Sequence, residues 1–263
     1  MGQRIVTVDA FTAERFRGNP AAVCVLERPA QDAWMQDVAR EMNLAETAFL
    51  VREGDAFRLR WFTPTVEVDL CGHATLASAH VLWEDALVAP EDPVRFLTRS
   101  GELGAELEDG WVKLDFPATP PSPAEAPEGL LEALGLEWAI TVGKSRFDWL
   151  VEVDTIERLR GIEPDFRALA RIGGRGVIVT CVSEVPQYQF VSRFFAPAAG
   201  VDEDPATGSS HCCLAPFWAL RLGRPELVGY QASARGGEVR VAWRGDRVQL
   251  AGRAVTVMRG ELV

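Results

Sequence analysis

The sequence predicts an α/β protein built from two similar halves, and three observations support this prediction. Segments that alternate apolar and polar residues, as strands do, are interspersed with runs that have helical spacing. A proline-dense segment, residues 116–127, interrupts both patterns near the middle of the chain. A motif then recurs on the two sides of that segment. We therefore expect two domains, residues 1–118 and residues 128–251.

Strands and helices alternate in the first half. The predicted strands are Ile5–Val8, Ala21–Leu26 and Phe57–Phe62, and the predicted helices are Asp32–Met42 and Ala74–Trp83. The first helix carries apolar residues at Trp34, Val38 and Met42, which indicates one buried face, and it ends at Asn43. The second helix is small or apolar on nearly every face, so we expect it to be buried.

The second half resumes the same patterns after the proline-dense segment. Helices are predicted at Gly129–Leu134, Phe166–Arg171 and Ser210–Leu220, and strands at Ala139–Val142, Trp149–Val153, Val177–Cys181, Glu238–Trp243, Arg247–Ala251 and Ala254–Met258. One alignment matches Phe62 to Phe195 and Pro64 to Pro197. In both copies a strand and a loop lead through a glycine into an apolar helix, which indicates a duplicated unit.

The two repeated helix beginnings are candidate binding positions for an acid. The first amide groups of a helix have no partner within it and carry the positive end of its dipole. Gly72 and Gly208 allow close backbone approach, and Ser209 adds a hydroxyl group. If the halves face each other across one cleft, these groups would hold the carboxylate of a small acid.

Three ionisable residues lie at or near the repeated loops. Glu46 stands among apolar residues, His73 follows Gly72, and Asp204 precedes a proline. A carboxylate in apolar surroundings is costly to bury unless it is paired or protonated, and this environment suits a general base. Each of the three residues taken alone is more often structural, so the prediction depends on their placement together.

The composition of the chain argues against two classes of binding partner, nucleic acids and membranes. The net charge of −11 and the pI near 4.9 disfavour nucleic acid and anionic membrane surfaces. No apolar run approaches the roughly 20 residues that cross a bilayer. Five cysteines, an odd number, do not suit a disulfide framework. We expect a cytoplasmic protein that binds neither nucleic acid nor membrane.

Metal, thiol and nucleotide sites are the alternatives to acid/base chemistry. His73, His211 and the cysteines at 71, 212 and 213 lack the paired spacing of zinc ligands, so no metal site is predicted. One alternative stays open: Cys71 could act as a nucleophile paired with His73, although no third residue that would orient the pair is evident. The segment 173–176, Gly-Gly-Arg-Gly, lacks the spacing of a dinucleotide fingerprint.

A set of motifs runs along nearly the whole chain: Val8-Asp9-Ala10-Phe11, Gly18-Asn19-Pro20-Ala21-Ala22-Val23, Asn43-Leu44-Ala45-Glu46-Thr47-Ala48-Phe49, Arg60-Trp61-Phe62-Thr63-Pro64, Cys71-Gly72-His73-Ala74-Thr75, Glu203-Asp204-Pro205-Ala206-Thr207-Gly208-Ser209 and Gly252-Arg253-Ala254-Val255-Thr256-Val257. Through these motifs the chain resembles the PhzF family, named for phenazine biosynthesis and similar in fold to diaminopimelate epimerase. The chain departs from the family pattern at two places: His211-Cys212-Cys213, and residues 231–237, which form a loose version of the family's glycine-rich loop.

The resemblance implies two pseudo-symmetric halves, each a curled, mostly antiparallel β-sheet around a central helix, with the site between them. It implies that the last strand, about 252–263, packs on the first half, that no cofactor is needed and that the protein forms a homodimer. By matched position, Glu46 is the catalytic acid/base and His73 and Asp204 are its partners. The backbone of Gly72 and Gly208, with Ser209, would hold the substrate carboxylate.

The expected activity is an isomerase that moves a proton between carbons of a small cyclic or unsaturated carboxylic acid. The family's characterised reaction is the isomerisation of trans-2,3-dihydro-3-hydroxyanthranilate. Two alternatives stay open from the residues: an amino-acid racemase or epimerase with Cys71 or Asp204 as a second acid/base group, and a non-catalytic small-acid-binding protein. Because a fold hosts many functions, the reaction class is better supported than the compound.

Overall fold

A computed structural model describes residues 2–263, which fall into two compact units. The first unit extends to Phe116 and includes Gln249–Val263, and the second is Pro117–Val248. In chain order the elements are β1 Gln3–Ala10, β2 Asn19–Leu26, α1 Asp32–Met42, β3 Glu46–Glu53, β4 Ala56–Phe62, β5 Glu67–Val68, α2 Gly72–Glu84, β6 Val94–Thr98, β7 Gly101–Glu108, β8 Trp111–Pro117, β9 Ser122–Pro123, α3 Leu130–Ala133, β10 Thr141–Lys144, β11 Trp149–Glu152, α4 Ile156–Arg160, α5 Phe166–Leu169, β12 Val177–Val182, β13 Phe190–Phe195, α6 Gly208–Leu222, β14 Glu226–Gln231, β15 Gly237–Arg244, β16 Arg247–Gly252 and β17 Ala254–Leu262.

The first unit is a mostly antiparallel sheet in the order β17-β1-β2-β3-β4-β6-β7-β8. Its parallel pairs are β2 with β3 and β4 with β6. Helix α2 packs on β1, β2, β3 and β17, so the strands curl around it. The pairing of β17 with β1 runs from Leu262 opposite Gln3 to Ala254 opposite Ala10. The C-terminal strand thus completes the sheet that the N-terminal strand begins.

The second unit has the strand order β9-β10-β11-β12-β13-β14-β15. Its parallel pairs are β11 with β12 and β13 with β14, and every other pair in that order is antiparallel. The succession from β11 to β15 therefore repeats the succession β2, β3, β4, β6 and β7. Because Phe62 ends β4 and Phe195 ends β13, the sequence repeat corresponds to a repeat of topology.

Helices α1 and α2 differ in how much of their surface is buried, because their residue patterns differ. Ten of the 13 residues of α2 are buried, and the small ones among them, such as Ala74, Ala77 and Ser78, let the strands approach the helix closely. Helix α1 instead buries only one face, at Met35, Val38 and Ala39. Its C-terminal cap, Asn43, adopts a left-handed conformation with φ of 49° and donates its amide proton to the Ala39 carbonyl. The predicted buried and amphipathic helices are both confirmed.

Helix α6 contains an internal proline whose cost is partly offset by the proline-dense segment. Pro216 has no amide proton for the carbonyl of Cys212, four residues earlier. The amide of Thr119 donates to that carbonyl at 3.1 Å. The segment therefore satisfies a backbone group that the helix leaves without its usual partner.

Some predicted boundaries differ from the structure. The strand predicted at Ala139–Val142 is Thr141–Lys144, because its pairing with β11 begins at Thr141. The proline-dense segment includes β9, which pairs with β10 at only two residues. Strands β5 to β9 and β14 and helix α4 were not predicted. Among residues 2–263, no helix has both the length and the apolar character that crossing a bilayer requires.

Candidate active site

Glu46 and His73 lie side by side in the first unit. Glu46 is the first residue of β3, opposite Ala21 of β2, and His73 is the second residue of α2. His73 Nε2 lies 3.2 Å from Glu46 Oε2. The side chains are 6% and 18% exposed respectively, so the imidazole is buried while the carboxylate remains partly accessible. The structure thus brings together two of the predicted site residues.

Asn19 determines which nitrogen of His73 carries the proton. Its side-chain Nδ2 lies 3.2 Å from His73 Nδ1, and an amide nitrogen can only donate, so Nδ1 is the acceptor. Burial lowers the pKa of His73 to about 3, because the charged ring would lose its hydration. The ring is therefore neutral near pH 7, and its one proton is on Nε2, the nitrogen beside Glu46.

The turn before β2 places Asn19, which was named above only as one residue of a family motif. Gly18 has φ of +61°, and a Cβ there would lie 2.1 Å from the Ala10 carbonyl oxygen, so only glycine fits. The buried carboxylate of Asp9 accepts the Phe16 amide at 2.6 Å and fixes the preceding loop. Asn19 itself is fully buried, which is unusual for asparagine without a specific contact.

Cys71 is the N-cap of α2, and its Sγ lies 3.5 Å from His73 Nδ1. Ligand-type atoms of Glu46, Cys71 and His73 lie within 4.8 Å of one another, a grouping that the sequence spacing did not suggest. A metal bound at Nδ1 would have to displace the Asn19 amide, since a neutral imidazole has a single free lone pair. The arrangement therefore favours proton transfer over metal binding at this nitrogen.

Asp204 belongs to a buried polar network in the second unit. Thr207 Oγ1 donates to Asp204 Oδ2 at 2.5 Å and accepts from Gln231 Nε2 at 3.1 Å. Gln231 Nε2 also donates to the Asp204 carbonyl at 2.6 Å, and Gln231 Oε1 accepts the Thr207 amide at 2.8 Å. Gln231 is fully buried at the end of β14. This glutamine holds the Asp204 loop, and its role was not predicted.

The predicted carboxylate-binding groups occupy helix beginnings. Gly72 is the first residue of α2, and Gly208 and Ser209 are the first two residues of α6, which was predicted to begin at Ser210. Neither helix has a side-chain cap at its N-terminus, so their first amides are not satisfied in that way. Ser209 Oγ accepts a hydrogen bond from Arg175 Nη1 at 2.9 Å.

The residues that depart from the family pattern point into the second unit. His211, Cys212 and Cys213 are all buried. His211 Nδ1 lies 2.8 Å from the Thr207 carbonyl, so Nδ1 carries the proton and donates. Burial lowers the pKa of His211 to about 4, which keeps the ring neutral near pH 7. These side chains therefore support the helix beginning from within.

Comparison with known proteins gives consistent matches over the chain's whole length. An uncharacterized isomerase of Halalkalibacterium halodurans is 52% identical over 260 residues, covering 98% of both chains. The crystal structure of a PhzF-family phenazine biosynthesis protein from Enterococcus faecalis matches with 41% identity and a TM-score of 0.95, covering 100% of both chains. A hydroxyproline epimerase from Agrobacterium vitis shares the fold at 14% identity, with a TM-score of 0.63 over 99% of this chain and 92% of that one.

The predicted fold class is confirmed by these structures. The relatives that are named isomerases support an isomerase-type activity. The model of the PhzC-PhzF family, described as phenazine biosynthesis-like protein, matches residues 8–260. That match includes every predicted site residue, from Glu46 to Ser209. The chain belongs to the phenazine biosynthesis-like PhzC-PhzF family.

Proposed function

We propose that this protein is a cofactor-independent isomerase that moves a proton between carbons of a small cyclic or unsaturated carboxylic acid. The observation that carries the proposal is the partly accessible Glu46 carboxylate beside the buried, neutral His73. A carboxylate that is partly removed from water and paired with a fixed neutral donor suits proton abstraction from carbon. The family's substrate, trans-2,3-dihydro-3-hydroxyanthranilate, is the first compound to test.

In this reaction Glu46 removes a proton from one carbon and returns it to another. The substrate carboxylate, conjugated with the double bond, accepts the charge that develops as the C–H bond breaks. His73, with its proton on Nε2, lies beside the Glu46 carboxylate and orients it before the transfer. We propose that Asp204 assists proton handling, and that Ser209 with the backbone of Gly72 and Gly208 holds the substrate carboxylate.

Deuterium incorporation tests the role of Glu46. The protein is incubated in D₂O with trans-2,3-dihydro-3-hydroxyanthranilate and with a panel of unsaturated cyclic acids, and carbon-bound deuterium is measured by mass spectrometry. Loss of the general base in Glu46→Gln is expected to lower the exchange rate by about 10²- to 10⁴-fold. Glu53→Gln is the matched control, because Glu53 ends the same strand and pairs with Arg58 at the surface.

Three outcomes would contradict the proposal. Exchange that survives in Glu46→Gln would assign the proton transfer to another group. Exchange that disappears after EDTA treatment of the wild-type protein, and returns with a divalent ion, would show that a cofactor is needed. Tight binding of an acid without any exchange across the panel would favour a non-catalytic small-acid-binding protein.

An amino-acid racemase or epimerase is the second candidate, and the position of Cys71 favours it. Its thiol lies 3.5 Å from His73 Nδ1 and near Glu46, so a second proton-transfer group is available. Such an enzyme inverts a carbon centre and leaves the constitution of its substrate unchanged. Chiral chromatography after incubation with amino acids separates the two functions, and Cys71→Ala is expected to abolish inversion while an isomerase retains its activity.

A further inference from the structure

The hydrogen bond between Arg175 and Ser209 leaves the hydroxyl proton of Ser209 available to a ligand. Arg175 Nη1 donates to Ser209 Oγ at 2.9 Å, and a guanidinium can only donate. The hydroxyl oxygen is therefore the acceptor, and its own proton is left for another group. Within residues 2–263 no side chain or carbonyl accepts that proton, and Ser209 is partly exposed.

Arg175 is itself held by a buried carboxylate. Its Nε and Nη2 donate to the two oxygens of Asp148 at 2.9 and 2.5 Å, and Asp148 is 1% exposed. A bidentate pair of this kind fixes the plane of the guanidinium. The remaining terminal nitrogen, Nη1, is consequently directed at Ser209. Because Asp148 offsets the charge of Arg175, the pair acts through orientation more than through net charge.

The loop that carries Arg175 is also rigid. Gly174 has φ of +88°, and a Cβ there would lie 2.5 Å from Lys144 Nζ, so the turn requires glycine. The Arg175 amide donates to the Phe147 carbonyl at 2.9 Å. Trp149 Nε1 donates to the Gly173 carbonyl at 3.0 Å. The Gly-Gly-Arg-Gly segment, which matches no nucleotide-binding pattern, thus serves to place one guanidinium.

We propose that Arg175 is a positioning residue that turns the Ser209 hydroxyl into an oriented donor for the substrate carboxylate. This inference rests on the proposed function, in which Ser209 contacts that carboxylate. A serine hydroxyl in water samples several rotamers and donates as readily as it accepts. With one lone pair occupied by Arg175, Ser209 donates its proton to an anion without reorganisation, and it discriminates against a ligand group that can only donate.

Ligand binding tests the proposal without turnover. Anthranilate, a stable aromatic carboxylate, and 2-aminobenzamide, its neutral amide counterpart, are titrated calorimetrically into the wild type, Ser209→Ala, Arg175→Lys and the double variant. The measured quantity is the affinity ratio of carboxylate to amide. Lysine keeps the charge but does not hold Asp148 through two donors while donating to Ser209. Arg221→Lys is the matched control, since Arg221 also pairs with a buried carboxylate, Glu152, in the same unit.

The expected result is an affinity ratio about 10-fold lower in Ser209→Ala and several-fold lower in Arg175→Lys, with the double variant close to Ser209→Ala. Additive losses in the double variant would overturn the proposal, because Arg175 would then contact the ligand directly. A wild-type ratio near one, or a loss in Arg221→Lys equal to that in Arg175→Lys, would overturn it as well. Thermal unfolding of each variant identifies losses that come from misfolding.

The two proposals fail in different ways. If deuterium exchange does not depend on Glu46 but the affinity ratio responds to Arg175 as expected, the isomerase proposal falls and the Arg175 proposal stands. If the exchange depends on Glu46 but the ratio is unchanged in Arg175→Lys, with Ser209→Ala still weakening anthranilate, only the Arg175 proposal falls.

Discussion

Asn19 shows how one buried side chain sets the chemistry of its neighbours. Its amide donates to His73 Nδ1, and that hydrogen bond leaves the ring proton on Nε2, beside Glu46. With the opposite tautomer, a lone pair of the ring would face the carboxylate and repel it. Asn19 therefore controls the local environment of the proposed base without contacting a substrate, as partners of catalytic histidines generally do.

Replacing Asn19 with aspartate is expected to reverse this tautomer. The new carboxylate accepts from Nδ1, so His73 keeps a proton there, and the added negative charge raises the pKa of His73 above its buried wild-type value. Long-range proton–nitrogen NMR of protein labelled with ¹⁵N-histidine reports the protonated nitrogen directly. Deuterium exchange is expected to fall by on the order of 10²-fold, because the donor beside Glu46 is lost.

His80 is the internal control for this experiment. It lies on the same helix, but its Nε2 lies 3.1 Å from Thr256 Oγ1, so its spectrum is expected to stay unchanged in Asn19→Asp. A wild-type spectrum with the proton on Nδ1 of His73 would contradict the tautomer described above. An unchanged His73 signal in Asn19→Asp would show that residue 19 does not control the ring.

Residue types and motifs were sufficient to select Glu46, His73, Asp204 and Ser209 as candidates. Their supporting residues were less accessible to sequence reasoning. Asn19 was only one residue of a family motif, and Gln231 looked like the start of a loop, although both are fully buried. Their roles depend on which atoms of distant segments meet, and strand register and loop closure decide that.

The strand that precedes the last one is packed tightly against α2 and the N-terminal loop of the first unit. Gly252, at the end of β16, has no room for a side chain: a Cβ there would lie 2.4 Å from Phe11 Cδ1 and 2.8 Å from Leu76 Cδ1. Phe11 and Leu76 are fully buried, so neither is able to move away freely. This glycine explains why the closing Gly-Arg-Ala motif begins as it does.

Gly252→Ala is expected to destabilise the first unit by about 1–3 kcal/mol through overpacking. Gly104→Ala is the matched control, because Gly104 lies in β7 of the same unit and a Cβ there meets no atom within 4 Å. Urea unfolding followed by tryptophan fluorescence measures both variants. Equal stability of the two variants would contradict the close packing between Gly252, Phe11 and Leu76.

The spacing of apolar residues predicted the elements in which that spacing matches the buried face. It missed elements whose position is specified by tertiary contacts. Helix α1, with its single buried face, was predicted with its correct limits, Asp32 and Met42. Strand β14 was missed because Gly229 and the exposed Glu226 weaken its alternation. That strand is instead specified by tertiary contacts, since it pairs with both β13 and β15.

The duplicated topology of the whole chain has diverged in its chemistry. In the first unit the residues at the helix beginning are Cys71, Gly72 and His73, whereas the corresponding helix of the second unit begins with Gly208 and Ser209. The backbone arrangement is therefore retained while the side chains differ. The side chains at the two helix beginnings therefore take different proposed roles, since His73 orients Glu46 whereas Ser209 holds the substrate carboxylate.

All three histidines of the chain have a lowered pKa because they are wholly or partly removed from water, and this makes folding stability depend on pH. The folded protein keeps His73 and His211 neutral down to about pH 3 and about pH 4, respectively. The unfolded chain protonates histidine below about pH 6.5. Above about pH 6.5 these histidines therefore do not lower the free energy of unfolding. Below that value the free energy of unfolding falls as the pH drops, by up to ~1.4 kcal/mol per pH unit for each histidine.

Proton uptake on unfolding measures this linkage directly, and His211→Gln isolates one residue. Glutamine retains a donor for the Thr207 carbonyl but does not titrate, so potentiometric unfolding in urea at pH 5 is expected to consume about 0.9 proton fewer than in the wild type. At pH 8 the two proteins are expected to agree, because histidine is neutral in both states. The carboxylates are common to both proteins and cancel in the difference. Equal uptake at pH 5 would mean that His211 is already protonated in the folded protein, and the neutral ring assigned to it would be wrong.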